Sequence, residues 1–231
     1  INNKGLTMRK ITIVCLFLLG MISTASAELG VRVGIGAEIG EYDLSGSETT
    51  ATETQKSETN DGNVYVPLGS VFIEKQLTFM PSFLERLSVG YSFVPHDVKS
   101  ATVGGEHNNR TGSQDVTVNN KAKVELENIN TLYATLDIFS WLYIKAGQMD
   151  MDVKTKERLG TGSEYPDFST EGSILGIGIH KTMDSGIFLR FEAEESDIDG
   201  ATITSTVDAN NSVKLNDFDG TVYRISIGKS F

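Results

Sequence analysis

Residues 29–40 read LGVRVGIGAEIG, and that alternation decides the fold class. Leu29, Val31, Val33, Ile35, Ala37 and Ile39 fall on one face of an extended chain, and Gly30, Arg32, Gly34, Gly36, Glu38 and Gly40 on the other. A period of two marks a β-strand with two unlike faces. The same period recurs along the chain. Leu87, Val89, Tyr91 and Phe93 alternate with Ser88, Gly90 and Ser92; Leu132, Ala134, Leu136 and Ile138 alternate with Tyr133, Thr135 and Asp137. Leu142, Ile144 and Ala146 stand against Tyr143, Lys145 and Gly147, and Leu175, Ile177 and Ile179 against Gly176, Gly178 and His180. Ile187, Leu189, Phe191 and Ala193 face away from Phe188, Arg190, Glu192 and Glu194, and Tyr223, Ile225 and Ile227 from Arg224, Ser226 and Gly228. An eighth strand is expected within 64–79, where two phases compete. One follows Val64, Val66 and Leu68, the other Val71, Ile73, Leu77 and Phe79, with Pro67 interrupting; a bulge would switch between them.

The connections alternate as well. Residues 43–62, 95–115, 155–169 and 200–212 are long and polar, whereas the links near 80–86, 139–140 and 182–186 are short. Long loops at one end and short turns at the other are the layout of an antiparallel barrel with an even number of strands. The fold class expected is all-β, an eight-stranded antiparallel transmembrane up-and-down β-barrel. Ten strands is the alternative, with an extra hairpin around Val116–Val124, although that stretch reads better as an extension of the fourth strand. The polar faces are mostly Gly, Ser and Thr, which suit a narrow barrel interior and leave the aliphatic faces for lipid. Arg32, Lys145, Arg190 and Arg224 then point inward with Glu38, Asp137, Glu192 and Glu194. Charges held away from bulk water persist when paired, so a barrel-interior ion-pair network is expected.

Ahead of the strands, Met8-Arg9-Lys10 opens a short basic region, 11–22 is an apolar run, and Ala25-Ser26-Ala27 supplies a small-x-small cleavage pattern. That is a secretory signal layout, and the apolar run is shorter than the roughly 20 residues of a spanning helix. Residues 1–27 are therefore expected to be leader and signal peptide, cleaved after Ala27 on export, and 28–231 the barrel domain. The 231 residues carry 20 Lys+Arg against 31 Asp+Glu, a formal charge of −11, which argues against a nucleic-acid partner. Cys15, the single cysteine, lies in the leader, so neither a disulfide framework nor a cysteine metal cluster is expected.

At the other end Tyr223, Ile225 and Ile227 run in phase toward Phe231. This pattern resembles the C-terminal assembly signal of bacterial outer-membrane β-barrels, from which Lys229 departs because that slot is usually apolar. With the signal peptide and the strands, the whole of 28–231 resembles small eight-stranded outer-membrane proteins of the OmpA/OmpX and opacity type. The resemblance implies a Gram-negative outer-membrane location, passage through the secretion machinery, insertion by the barrel-assembly machinery, contact with lipid and lipopolysaccharide, and a monomer. Aromatic girdles are expected from Phe139, Trp141, Tyr143 and Phe231 at the short-turn rim, and from Tyr42, Tyr65 and Phe93 toward the long loops.

For catalysis the chain offers His96, His107 and His180 only. None is placed to meet a strand-borne nucleophile and acid near the outer surface, so no enzyme activity and no cofactor are expected. Gly34-Ile35-Gly36 and Gly176-Ile177-Gly178 lack the helix that a phosphate loop requires. If the last hairpin turns at Asp208, Phe191 faces Ile225, Leu189 faces Ile227 and Glu192 faces Arg224. The same register sets Asp197 opposite Asp219 and Asp199 opposite Asp217, a candidate cation site, since like charges face each other badly unless a hard cation sits between them. Asn210-Asn211 is the better turn signal, however, and a turn centred at Asn210 keeps the in/out parity and separates these aspartates. The function expected is structural or interactive, a surface barrel presenting long acidic polar loops. A narrow passive porin-like channel is the alternative, and an enzyme ranks third.

Overall fold

A computed structural model describes residues 30–43, 45–49, 54–58, 64–78, 84–99, 103–111, 114–158 and 163–231. The expected leader, 1–27, lies outside them. Eight strands close into an antiparallel up-and-down barrel: β1 (Val31–Tyr42), β4 (Val64–Gln76), β5 (Leu87–Phe93), β8 (Gln114–Phe139), β9 (Leu142–Arg158), β10 (Phe168–Thr182), β11 (Ile187–Ile198) and β14 (Phe218–Ser230). Each pairs with its neighbours in sequence, β1 meets β14, and the run from Leu87 to Phe93 pairs with the stretch from Leu136 to Asn130. Six further strands lie beyond the barrel on the long-connection side: β2 (Ser45–Thr49), β3 (Thr54–Glu58), β6 (Val98–Lys99), β7 (Val103–Thr111), β12 (Ala201–Thr204) and β13 (Ser212–Leu215).

The two-residue period survives into the structure. Ile35, Leu132, Leu175, Ile177, Phe191, Tyr223 and Ile225 are exposed on the outer wall, while Ser70, Ser88, Lys145, Arg190, Glu192 and Ser226 are buried inside. β4 resolves the phase ambiguity without a bulge, since its pairing with β1 is continuous from Val64 to Lys75. Both apolar sets are used: Val71 is exposed on the outer wall, and Leu68 packs against the buried apolar cluster within. The physical reason is that this strand's lumen changes character half-way up, so its inward face is apolar above and polar below.

The stretch 116–124 extends the fourth barrel strand, as expected. β7 folds back upon it, with Thr111 level with Gln114 and Val103 with Ala122, so this hairpin exists but adds nothing to the barrel wall. At 26 residues β8 far exceeds the roughly 9–11 that a tilted membrane strand needs. A bulge between Glu127 and Asn130, with Asn128 at φ 53°, shifts its parity. Leu126 thereby packs on the interior cluster while Glu127 pairs with Lys154.

The first and fourth long connections are not independent loops. β12, β13, β2 and β3 form a second antiparallel sheet in that order, with Val213 level with Glu48 and Leu215 with Gly46. Asn216 ties its edge to Ser45 through both its backbone N–H, 3.0 Å from the Ser45 carbonyl, and its side chain, 3.0 Å from Ser45 Oγ. The third connection joins the same group, because Asn211 Nδ2 donates to Ser163 Oγ at 2.8 Å and Thr206 N donates to the Glu164 carbonyl at 2.8 Å.

Interior packing relies on glycine at two close approaches. A Cβ on Gly178 would fall inside the Tyr143 ring, and one on Gly90 inside the Tyr133 ring. Gly178→Ala is therefore expected to displace Tyr143 and cost about 1–3 kcal/mol, an overpacking penalty, in urea unfolding from lipid vesicles. Ala146→Gly on the outer wall serves as the control for strand propensity, and an equal effect of both would overturn the packing account.

Candidate functional site

The lumen divides into two layers. The lower layer, toward the short turns, is ionic. Arg190 grips Glu74 with both terminal nitrogens, a fork-to-fork geometry, and Arg32 Nη1 lies 3.8 Å from the same carboxylate. Tyr133 donates its hydroxyl to Glu74 at 2.9 Å, and its ring carries Lys145 Nζ 4.2 Å from the centroid. Lys145 Nζ reaches Glu194 at 2.9 Å and Glu192 at 3.4 Å. Arg224 completes this group, with Nε 2.8 Å from Glu38, Nη1 2.9 Å from Glu194, and Nη1 3.5 Å from Glu192. Ser70 donates its hydroxyl to Glu38.

Four cations therefore face four carboxylates, but one member differs from the sequence reading. Glu74 takes the place assigned to Asp137. Asp137 lies near the short-turn mouth, 4.0 Å from His180 Nε2 and beyond hydrogen-bond reach of it. Alternation alone does not reveal Glu74, because two phases compete along its strand; the lower half of β4 faces it inward at the level of Arg32. The signal that could have found it is the outward pair Val71 and Ile73, whose parity forces Glu74 inside. Tyr133 and Tyr143 were on the polar faces by alternation but carried no charge to draw attention. Tyr143 and Tyr42 belong to the lumen rather than to the girdles, since Tyr143 is 1% exposed and Tyr42 packs edge-on against Phe218 at 6.3 Å. Phe139 and Trp141 stack at the short-turn rim, 5.9 Å apart and 14° from parallel, and Phe231 is exposed there with Lys229 Nζ 5.5 Å from its ring.

The upper layer is apolar. Val94, Ile129, Met149, Met151, Val153, Ile174 and Ile198 are buried together, with Leu68 and Tyr42 packed against them. Between the layers lies a cavity of ≈ 40 Å³, floored by Glu38, Glu194 and Arg224 and roofed by Val94, Ile129 and Met149. Alternation in the sequence did not announce this cluster, because its members come from strand ends where the polar connections begin.

The last hairpin turns at Asp208 and not at Asn210, the stronger turn signal in the sequence: Glu192 is level with Arg224, Phe191 with Ile225, Leu189 with Ile227 and Asp197 with Asp219. The same register continues beyond the barrel, with Ala201 level with Leu215 and Thr204 with Ser212. Tyr223, Ile225, Ile227 and Phe231 all lie exposed on the outer wall, and Phe231 N donates to the Val31 carbonyl at 2.8 Å. Asp197, Asp199, Asp217 and Asp219 are exposed, and Asp217 Oδ1 accepts from Gly200 N at 2.8 Å. Among the described residues no group of three or more His, Cys, Asp or Glu side chains is arranged to hold a metal ion. Of the histidines, His107 lies on β7, His180 faces the lumen beside the Tyr143 ring at 5.5 Å, and His96 Nε2 accepts from Gly69 N at 3.0 Å.

No protein-family model matches this chain, and no curated protein does. Its likeness is to solved outer-membrane barrels. Ail, the attachment invasion locus protein of Yersinia pestis, is 12% identical over 86% of this chain and 99% of its own, with a TM-score of 0.39. The outer membrane protein OprG of Pseudomonas aeruginosa is 14% identical over 89% and 98%, with a TM-score of 0.45. The outer membrane protease OmpT of Escherichia coli is 7% identical over 91% and 100%, with a TM-score of 0.43. The chain is similar to these small outer-membrane barrels in architecture, and its role rests on its own residues.

Glu74→Gln leaves Arg190 and Arg32 without a carboxylate in a buried layer, and is expected to cost about 3–5 kcal/mol. Asp137→Asn, near the mouth, is expected to cost less than about 1 kcal/mol. Equal losses in urea unfolding would overturn the assignment of Glu74 as the fourth carboxylate. The charge exchange Glu192→Arg with Arg224→Glu tests the network differently. It sets a new carboxylate beside Glu38 and Glu194, so the double variant is expected to be no more stable than the worse single one.

Proposed function

We propose that this protein is a monomeric bacterial outer-membrane barrel with a structural and surface-interaction role, non-enzymatic and non-conducting. The observation that carries this reading is the filled lumen: an ionic layer lies beneath an apolar one, with a cavity of only ≈ 40 Å³ between them. A channel for ions needs a continuous polar path, and eight strands leave an interior just wide enough for side chains. The outer wall supports the membrane reading. Ile35, Ile177, Ile225 and their neighbours form a belt exposed all around the closed barrel, and such a belt is stable only against hydrocarbon.

The signal peptide over 1–27, cleavage after Ala27 and insertion by the barrel-assembly machinery through the Phe231 pattern belong to the same reading. On the outer side, the sheet that joins β2 and β3 to β12 and β13 replaces free loops with a hydrogen-bonded platform. That platform is the surface offered to lipopolysaccharide and to partners beyond the cell. Acids such as Glu41, Asp43, Glu195, Asp197 and Asp219 surround its base on the outer wall, where divalent cations would bridge them to anionic headgroups.

Single-channel recording of the refolded protein in a planar bilayer tests the proposal. Folded protein, identified by its heat-dependent gel mobility, is expected to give no conductance above the lipid background. A steady, salt-dependent conductance would replace this reading with that of a narrow channel.

A further inference from the structure

The barrel closes through β5 up to Phe93, but above that level, among the described residues, one side of the wall has no strand, and the cluster behind this gap is apolar. β4 pairs with β1 from Val64 to Lys75 but with β5 only from Val71 to Gln76. Above Phe93 the chain leaves β4 and stays with β8: Val94 N donates to the Ile129 carbonyl at 3.0 Å, and Val98 is level with Leu126. Among the described residues, the upper half of β4 has no strand along this edge.

The local sequence suits an open edge. Gln76 N points to the β1 side, where it meets the Gly30 carbonyl, and Leu77 N points to the β5 side, where it meets the Leu87 carbonyl. Odd-numbered residues of β4 therefore present their N–H groups to the gap. Pro67 has no N–H to leave unpaired there, which is the position a proline tolerates in a sheet. Gly69, the next in phase, gives its N–H to His96 Nε2, so a side chain takes the place of a strand. The gap opens within the apolar belt, because Pro67 is level with Ile39, and Ile39 with the exposed Tyr223. Behind it stand Leu68, Val94 and Val98, continuous with Ile129, Met149 and Ile174 of the upper lumen.

We propose that the upper lumen is a binding site for an alkyl chain, which enters sideways from the apolar belt through the gap between β4 and residues 94–98. This goes beyond the structural and interactive role and leaves it intact. The occupant follows from continuity: the outer wall beside Pro67 and the buried cluster behind the gap are apolar, with His96 and Asp97 the exposed polar residues of the 94–98 lip, so a hydrocarbon chain keeps apolar contact from the belt to the cluster. The small cavity enlarges through Met149 and Met151, unbranched side chains that repack readily. The ionic floor of Glu38, Glu194 and Arg224 stops the chain from passing onward.

The test is nuclear Overhauser contact to methyl-labelled methionines of the protein refolded in nanodiscs of perdeuterated phosphatidylcholine. Added protonated n-decane is expected to show saturable contacts to the Met149 and Met151 methyls, absent from Met183 at the exposed short turn. Repeating the measurement in protonated lipid assigns the source. Contacts from acyl tails mean that membrane lipid supplies the chain, and contacts from decane alone mean a free alkyl compound does. Val94→Trp, which fills the site, is expected to abolish the contacts while heat-dependent mobility persists. If wild-type protein shows no contact from either source to Met149 or Met151, the proposal is wrong, whatever the variant does.

Discussion

The constraint on which this fold rests is charge equality inside a closed wall. An eight-stranded barrel cannot hydrate its interior freely, so each ionised group of the layer is held beside its opposite, Arg32 the most loosely at 3.8 Å from Glu74. Neither half of the ionic layer is neutral alone. Glu74 serves two cations, Arg32 and Arg190, while Lys145 and Arg224 serve three carboxylates, Glu38, Glu192 and Glu194. The surplus of one group balances the deficit of the other, and Tyr133 connects them by donating to Glu74 while carrying Lys145 on its ring. Members of this layer come from β1, β4, β8, β9, β11 and β14, so its assembly requires the barrel to be closed.

Much of this was readable from alternation, because one rule, period two with unlike faces, applies along the barrel segments of seven strands, β8 changing phase only at its bulges. The eighth shows where the rule stops. Val64–Gln76 has apolar residues on both faces, since its upper half meets an apolar lumen and its lower half presents an apolar outer wall. A single-face criterion reads that as a conflict and hides Glu74. Asp137 illustrates the complementary error: parity correctly set it inward, but parity says nothing of height, and its height puts it beside His180 at the mouth. In the last hairpin parity is legible but register is not: Asn210-Asn211 is the stronger turn signal, yet the Asp208-centred register carries from Leu189–Ile227 out to Thr204–Ser212.

The long connections were least readable. Their Ser, Thr, Asn and Gly content is that of loops, and nothing local states that β2 will pair with β13, some 165 residues further on. That pairing is a consequence of closure. Bringing β1 beside β14 holds the first and fourth connections at one place on the rim, which lowers the entropy cost of joining them. Short strands, of which β12 and β13 share one small apolar face of Ala201, Ile203, Val213 and Leu215, then gain enough from backbone hydrogen bonds to form a sheet they would not form alone.

The same closure explains why the one weak side of the wall lies where it does. β1 and β14 are pinned by the terminal pairing and by the platform above them, and β8 to β11 are long and fully paired. β5 is the shortest barrel strand, seven residues, and its chain must leave the wall at Phe93 to reach the far end of β8. Among the described residues β4 then has no strand along this edge for its upper half, where the chain places Pro67 and the imidazole of His96. Filling the lumen behind that edge with apolar side chains has a physical logic of its own. Charges placed at its mouth would face hydrocarbon through the gap, so Leu68, Val94 and Val98 line it, and Glu38, although level with Leu68, is turned to Arg224 and Ser70 within the barrel.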